Sequence, residues 1–282
     1  MSNTNDFRVA VLLTAQSRTY KICLPAIKDF FSREKTENGV RWVKTDYFMH
    51  TWTTNQWTTK GSDKPRLNHI EYTPADIDLD FINNTLDGKL QAYKVEKYNP
   101  KKIHKNWGPG LYSFYKANEL KSKFEYDNNF TYDLVIKIRM DQVWYPGEKF
   151  RYHDIVQNRF IYTTSPSFRL KNELNSYNLD DVWFFGDSAT MNAAALCYKF
   201  IGQTVGEPPY KKNQTDYLFT PESLLGPGTM MNRFINLINI QGTKWVEMHN
   251  YLVVRKQALD NDWNYYDHYD KLAKLGFNYY SE

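Results

Sequence analysis

An α/β fold with a mostly parallel central sheet, helices on its faces and a less regular carboxyl-terminal part is what this sequence predicts. Three observations carry the prediction. Residues 8–13 (RVAVLL) form an unbroken aliphatic run, as a strand buried on both faces requires. Residues 132–138 (YDLVIKI) show a second apolar run, which stops at Arg139-Met140-Asp141-Gln142. Between such runs lie segments with helical spacing, and two strands joined through a helix form a right-handed parallel crossover.

Taken in order, the first strand ends in the polar residues 14–19 (TAQSRT). A helix follows over residues 24–31 (LPAIKDFF), where Pro25 suits a first turn and Ile27, Phe30 and Phe31 share a face. A second strand over residues 42–49 follows the Glu37-Asn38-Gly39 turn and runs into His50-Thr51-Trp52. Residues 53–87 are polar, with a loop signal from Lys60 to Pro65 and weak helical character later. A short strand at residues 90–97 precedes a turn at residues 106–110 (NWGPG). Leu111, Phe114, Ala117, Leu120 and Phe124 then recur at three- and four-residue spacing, the apolar stripe of a helix whose wet face would carry Lys116, Asn118 and Lys121. After the strand at residues 132–138, residues 180–187 (DDVWFFGD) read as another strand and residues 188–200 as a helix capped by Asp187. Thr220-Pro221 reads as a further helix start and residues 244–255 as the last strand. No repeat, low-complexity tract or domain boundary interrupts the 282 residues, so one domain is expected.

Composition narrows the function classes. With 41% hydrophobic and 24% charged residues the chain is globular in type, not disordered or fibrous. No apolar run approaches the roughly 18 residues of a membrane span, and the polar start lacks a signal-peptide pattern, so a soluble cytoplasmic protein is expected. Two cysteines, Cys23 and Cys197, make no disulfide framework and read as buried thiols. The 36 basic and 32 acidic residues are interspersed, so nucleic acid is not an expected partner. Phosphate-loop, dinucleotide-fingerprint, nucleophile-elbow and zinc-protease motifs are all absent. Aromatic residues reach 17%, enough to stack on sugars or bases, although packing accounts for most of them.

Ligands of an open α/β sheet sit beyond the carboxyl ends of its parallel strands. That rule collects Gln16, Ser17 and Arg18 after the first strand, His50 and Trp52 after the second, and Arg139 and Asp141 after the run at residues 132–138. Such a set suits a charged ligand. The blocks RVAVLLTAQSRTY, DYFMHTW, YDLVIKIRMD, DDVWFFGDSATM and PESLLG, in that order over about residues 8–226, resemble a family of viral and bacterial glycosyltransferase-like proteins from surface-polysaccharide gene sets. Those proteins are similar to the GT-A fold, a Rossmann-related nucleotide-binding domain.

The resemblance implies a nucleotide-sugar-dependent glycosyltransferase of surface polysaccharide or viral glycan synthesis, working in the cytoplasm, the host's if the source is viral. About residues 7–145 would be the nucleotide-sugar-binding half and about residues 146–282 the acceptor side and tail. The donor would be a UDP- or GDP-sugar and the acceptor a glycan. Mn²⁺ or Mg²⁺ would be the cofactor, held at the position where metal-dependent members carry Asp-x-Asp. Here that position reads Arg139-Met140-Asp141, leaving Asp141 as the single metal ligand.

The chemistry of sugar transfer fits these residue types, because negative charge grows on the leaving diphosphate while the acceptor hydroxyl loses a proton. Arg18 and Arg139 would bind the diphosphate, with a structural ion pair between Arg139 and Asp133 or Asp141 as the plain alternative. Thr14, Gln16 and His50 would contact the donor, and Asp141 would join them. Asp181, beside Asp180 at a strand entry, and Glu222, in a first helical turn, would orient or deprotonate the acceptor as catalytic residues. Trp52 and Trp107 are stacking candidates. The alternative to an enzyme is a carbohydrate-binding or virion-associated protein that keeps a degenerate transferase fold.

Overall fold

The computed structural model describes residues 7–32, 43–59, 69–98, 108–144, 150, 160–163, 183–199, 242–245, 251–253 and 277–278. It opens with strand β1 (Phe7–Thr14), helix α1 (Tyr20–Phe31) and strand β2 (Val43–Trp52). β1 and β2 pair in parallel from Phe7↔Val43 to Leu13↔Met49, the crossover expected from the sequence. Next come β3 (Thr54–Thr59), β4 (His69–Pro74), α2 (Leu79–Thr85), β5 (Leu90–Glu96) and α3 (Gly108–Asp127). The remaining elements are β6 (Leu134–Arg139), β7 (Gln142–Trp144), β8 (Phe160–Thr163), β9 (Phe184–Gly186), α4 (Ser188–Ala195), β10 (Gly242–Trp245), β11 (Tyr251–Val253) and β12 (Phe277–Asn278).

Among the described residues the main sheet has the order β10-β8-β9-β6-β1-β2-β5. Only β9 runs against its neighbours, so six strands share one direction and the architecture is α/β with a mostly parallel sheet. β1 lies in its interior between β6 and β2, buried on both sides. Val9, Val11 and Leu13 face one core with α1, Trp144 and Trp183, while Ala10 and Leu12 face the other with α3 and α4. That two-sided burial is why its sequence is apolar without alternation. The first core is aromatic: Phe30 stacks on Trp144 at 4.2 Å between ring centroids and meets Phe150 and Trp183 edge-on. Cys23 and Cys197 are fully buried free thiols, as expected, and burial pushes both well above the usual thiol range.

Several details depart from the sequence reading. Pro25 lies inside α1 and not in its first turn, because the helix already begins at Tyr20. The polar segment at residues 53–87 holds a β3–β4 hairpin that the sequence reading lacks, whereas the helical character expected later in it is borne out as α2, which Asp78 caps by accepting the Phe81 N–H. Part of the turn expected around Trp107 belongs to α3, which starts at Gly108. The stretch read as one strand at residues 244–255 holds two short strands in different sheets. Asp187 does cap α4, accepting both the backbone N–H and the hydroxyl of Thr190. The helix start expected at Thr220 lies outside the described residues.

The wet face expected on α3 is the largest correction. Lys121 is fully buried and Asn118 nearly so, because α4 packs on that face. The Lys121 ammonium donates to Ser188 Oγ at 2.6 Å and Asn192 Oδ1 at 2.8 Å, and lies 3.0 Å from Glu125 Oε2. Three acceptors match its three protons. Burial lowers the Lys121 pKa and Glu125 opposes that shift. Glu125 also accepts from Ser188 and from the Tyr132 N–H, so this clasp ties α3, α4 and the start of β6 together.

Candidate functional site

The parallel strands β6, β1, β2 and β5 end side by side, with Thr14 opposite Arg139 and Trp52 opposite Glu96. From β1 the chain passes through α1 on one face, whereas β6 is reached through α3 on the other. The crevice between β1 and β6 is therefore a topological switch point, where open α/β sheets bind ligands.

Ala15, just past β1, has φ 73°, a left-handed conformation that costs a residue with a Cβ roughly 1–2 kcal/mol. Its N–H donates to Ser113 Oγ at 2.7 Å, which anchors the turn to α3. The chain then places Arg18 with its Nε 3.6 Å from Asp141 Oδ2. Arg139 grips the same carboxylate from β6, donating from Nε at 2.8 Å to Oδ1 and from Nη2 at 2.7 Å to Oδ2. This is the bidentate fork that suits guanidinium to carboxylate. The Asp141 side chain is 1% exposed, whereas those of Arg18 and Arg139 keep 14% and 17%. Two guanidinium groups thus meet one carboxylate at the switch point, and the arginines are the more exposed partners.

Of the other residues expected here, Gln16 is half-buried on the same rim. Thr14 is fully buried, and its hydroxyl donates to the Ile138 carbonyl at 2.7 Å, so it fastens β1 to β6 instead of facing a ligand. Asp181, Glu222 and Trp107 lie outside the described residues. Trp52 packs between neighbours, stacked on Tyr112 at 5.3 Å and edge-on to Tyr98 and His50.

His50 is fully buried, and it organises a second polar cluster that the sequence did not announce. Its Nε2 lies 3.0 Å from Glu96 Oε2 and its Nδ1 3.0 Å from Ser113 Oγ. Burial lowers the His50 pKa to about 4, against the pull of Glu96, so the ring is neutral near pH 7. Burial works to raise the Glu96 pKa, but hydrogen bonds from Lys94, His50 and Tyr112 outweigh it and hold the carboxyl at about 2. With Glu96 ionised, Nε2 must carry the ring proton, and Nδ1 accepts from the Ser113 hydroxyl. The His50 carbonyl, 2.9 Å from Ser113 Oγ, is the second acceptor in reach of that proton. Serine, histidine and glutamate thus follow one another as in a nucleophile relay. Yet both Ser113 and His50 have no exposed surface, and Ser113 Oγ already receives the Ala15 N–H. The cluster acts as a scaffold that fixes the ends of β1, β2 and β5 against α3.

Among the described residues, Asp141 as it is placed does not suit the divalent cation that the resemblance implies. Mn²⁺ and Mg²⁺ seek several oxygen ligands, usually including waters. Both oxygens of Asp141 face guanidinium groups instead, and those charges repel a cation. Among the described residues no group of three or more His, Cys, Asp or Glu side chains is placed to hold a metal. No described helix is long and apolar enough to cross a membrane. A scan against protein-family models finds no match for the chain, and neither does a search of curated proteins.

Proposed function

We propose that this protein is a glycosyltransferase that moves a sugar from a nucleoside-diphosphate donor to the hydroxyl of a glycan. The observation that carries the reading is the convergence of Arg18 and Arg139 at the β1–β6 switch point, from segments distant in sequence. Guanidinium groups there would receive the diphosphate of a UDP- or GDP-sugar and stabilise the charge that grows on it as the glycosidic bond breaks. Gln16, next to Arg18, would contact the nucleoside. His50 supports this rim from inside through Ser113 and Glu96 and does not touch the donor. In this reading Asp181 or Glu222 orients or deprotonates the acceptor hydroxyl, a role that rests on the sequence alone.

The test is thermal unfolding against a panel of nucleotide sugars, followed by donor hydrolysis. A ligand at a hundred times its Kd adds about 2.7 kcal/mol to stability, so a matching UDP- or GDP-sugar raises Tm, and Arg139→Ala abolishes the rise. No rise with any nucleotide sugar would reject the enzyme. That outcome would favour a carbohydrate-binding protein on a degenerate transferase fold, with the half-buried rings of Tyr98, Tyr112 and Tyr198 around Trp52 as its supporting feature.

A further inference from the structure

We infer that Asp141 is a positioning residue for the two arginines and that the diphosphate site works without a divalent cation. The inference rests on the transferase reading and specifies how its donor is held. A carboxylate that serves as a metal ligand turns at least one oxygen toward the ligand cavity and keeps cations at a distance from itself. Asp141 does the reverse. Its two oxygens take a two-point grip from Arg139, Arg18 lies 3.6 Å away, and the whole group is sunk below the arginines.

The geometry gives each partner a distinct task. Arg139 uses Nε and one Nη on Asp141, which fixes the guanidinium plane at the end of β6. A guanidinium has five N–H donors, and the grip on Asp141 uses two of them. Asp141 holds Arg139 and Arg18 on one carboxylate, which sets the spacing between two cations that would otherwise repel each other. Two fixed cations at a set spacing recognise two linked phosphates better than one. In this arrangement the two guanidinium groups, and not a metal, face the leaving diphosphate.

Calorimetric titration of the full chain with UDP, GDP and the matching monophosphates, in EDTA and then in Mn²⁺, tests this. Diphosphate is expected to bind in EDTA, with Mn²⁺ changing its affinity less than threefold. Paramagnetic resonance with Mn²⁺ alone is expected to show no stoichiometric site. Asp141→Asn, checked for native circular dichroism, is expected to keep anion binding but to lose at least fivefold in its preference for diphosphate over monophosphate. Asp141→Glu, which keeps the carboxylate, should recover part of that preference. A purely structural Asp141 would leave the preference unchanged, and that result overturns the inference. So does tenfold or greater tightening by Mn²⁺, or one bound Mn²⁺ per chain that Asp141→Asn removes; both leave the transferase reading standing. Failure of any diphosphate to bind in either buffer overturns the transferase reading together with the inference.

Discussion

Ser113→Ala tests the scaffold beneath the proposed site. The Ser113 hydroxyl has no exposed surface, receives the Ala15 N–H at 2.7 Å and lies 3.0 Å from His50 Nδ1. Alanine fits the same space but leaves both groups unpaired where water does not reach. A buried polar group left without its partner costs about 1–3 kcal/mol, so two of them, partly relaxed, should cost about 3 kcal/mol. With an unfolding entropy of about 2.1 cal/mol/K per residue, each kcal/mol moves the Tm of a 282-residue chain by about 1.7 °C, so Tm should fall by roughly 5 °C. Ala15 would also lose the bond that stabilises its left-handed turn, and Arg18 follows three residues later. Nucleoside-diphosphate affinity should therefore fall along with stability. Urea unfolding monitored by tryptophan fluorescence gives the first quantity and calorimetric titration the second. A stability change under about 0.5 kcal/mol, the size expected of an ordinary surface substitution, would refute the assignment of Ser113 as the link between α3 and the end of β1.

Three further outcomes follow from other parts of the molecule. The His50 pKa is about 4 in the folded protein against an ordinary 6.5, so acid protonates the unfolded chain first. The stability held by the neutral ring is complete above pH 6.5 and is lost as pH falls toward 4, about 3 kcal/mol in all, a slope that His50→Gln should flatten in urea titrations across that range. Lys121→Met removes the cation beside Glu125, whose side chain is 9% exposed, and should destabilise by about 3–5 kcal/mol. Adding Glu125→Gln should restore part of that loss, which a double-mutant cycle would show. Phe30→Ala opens a cavity between Trp144, Phe150 and Trp183 and should cost about 3–5 kcal/mol by denaturant unfolding.

What the sequence reveals about this fold follows burial. β1 and β6 were legible because strands covered on both faces must be apolar throughout, and α1 because its buried face repeats at helical spacing. The β3–β4 hairpin was not, since TNQWTT and HIEYTP carry neither an apolar run nor a compact turn signal. Lys121 read as a solvated residue because its partners Ser188 and Asn192 come from a helix far along the chain. Periodicity assigns a face to an element but does not say what will cover the other one. At the candidate site the strand-end rule found Arg18, Arg139 and Asp141, and the pairing of Arg139 with Asp141 was foreseen as one of its alternatives. The same rule applied to β5 points to Glu96, which closes the His50 cluster. Ser113 carried no such signal, because a serine in the first turns of a helix looks the same whether or not it holds a neighbouring strand.

The central claim is that Arg18 and Arg139 form one diphosphate pocket arranged by Asp141. A crystal of the protein grown with UDP or GDP, in the presence of Mn²⁺, addresses it most directly. The account predicts phosphate oxygens within hydrogen-bonding distance of both guanidinium groups, with Arg139 still gripping Asp141 and no cation between the carboxylate and the phosphates. A diphosphate bound elsewhere, or Asp141 released from Arg139 to ligate Mn²⁺, would contradict it.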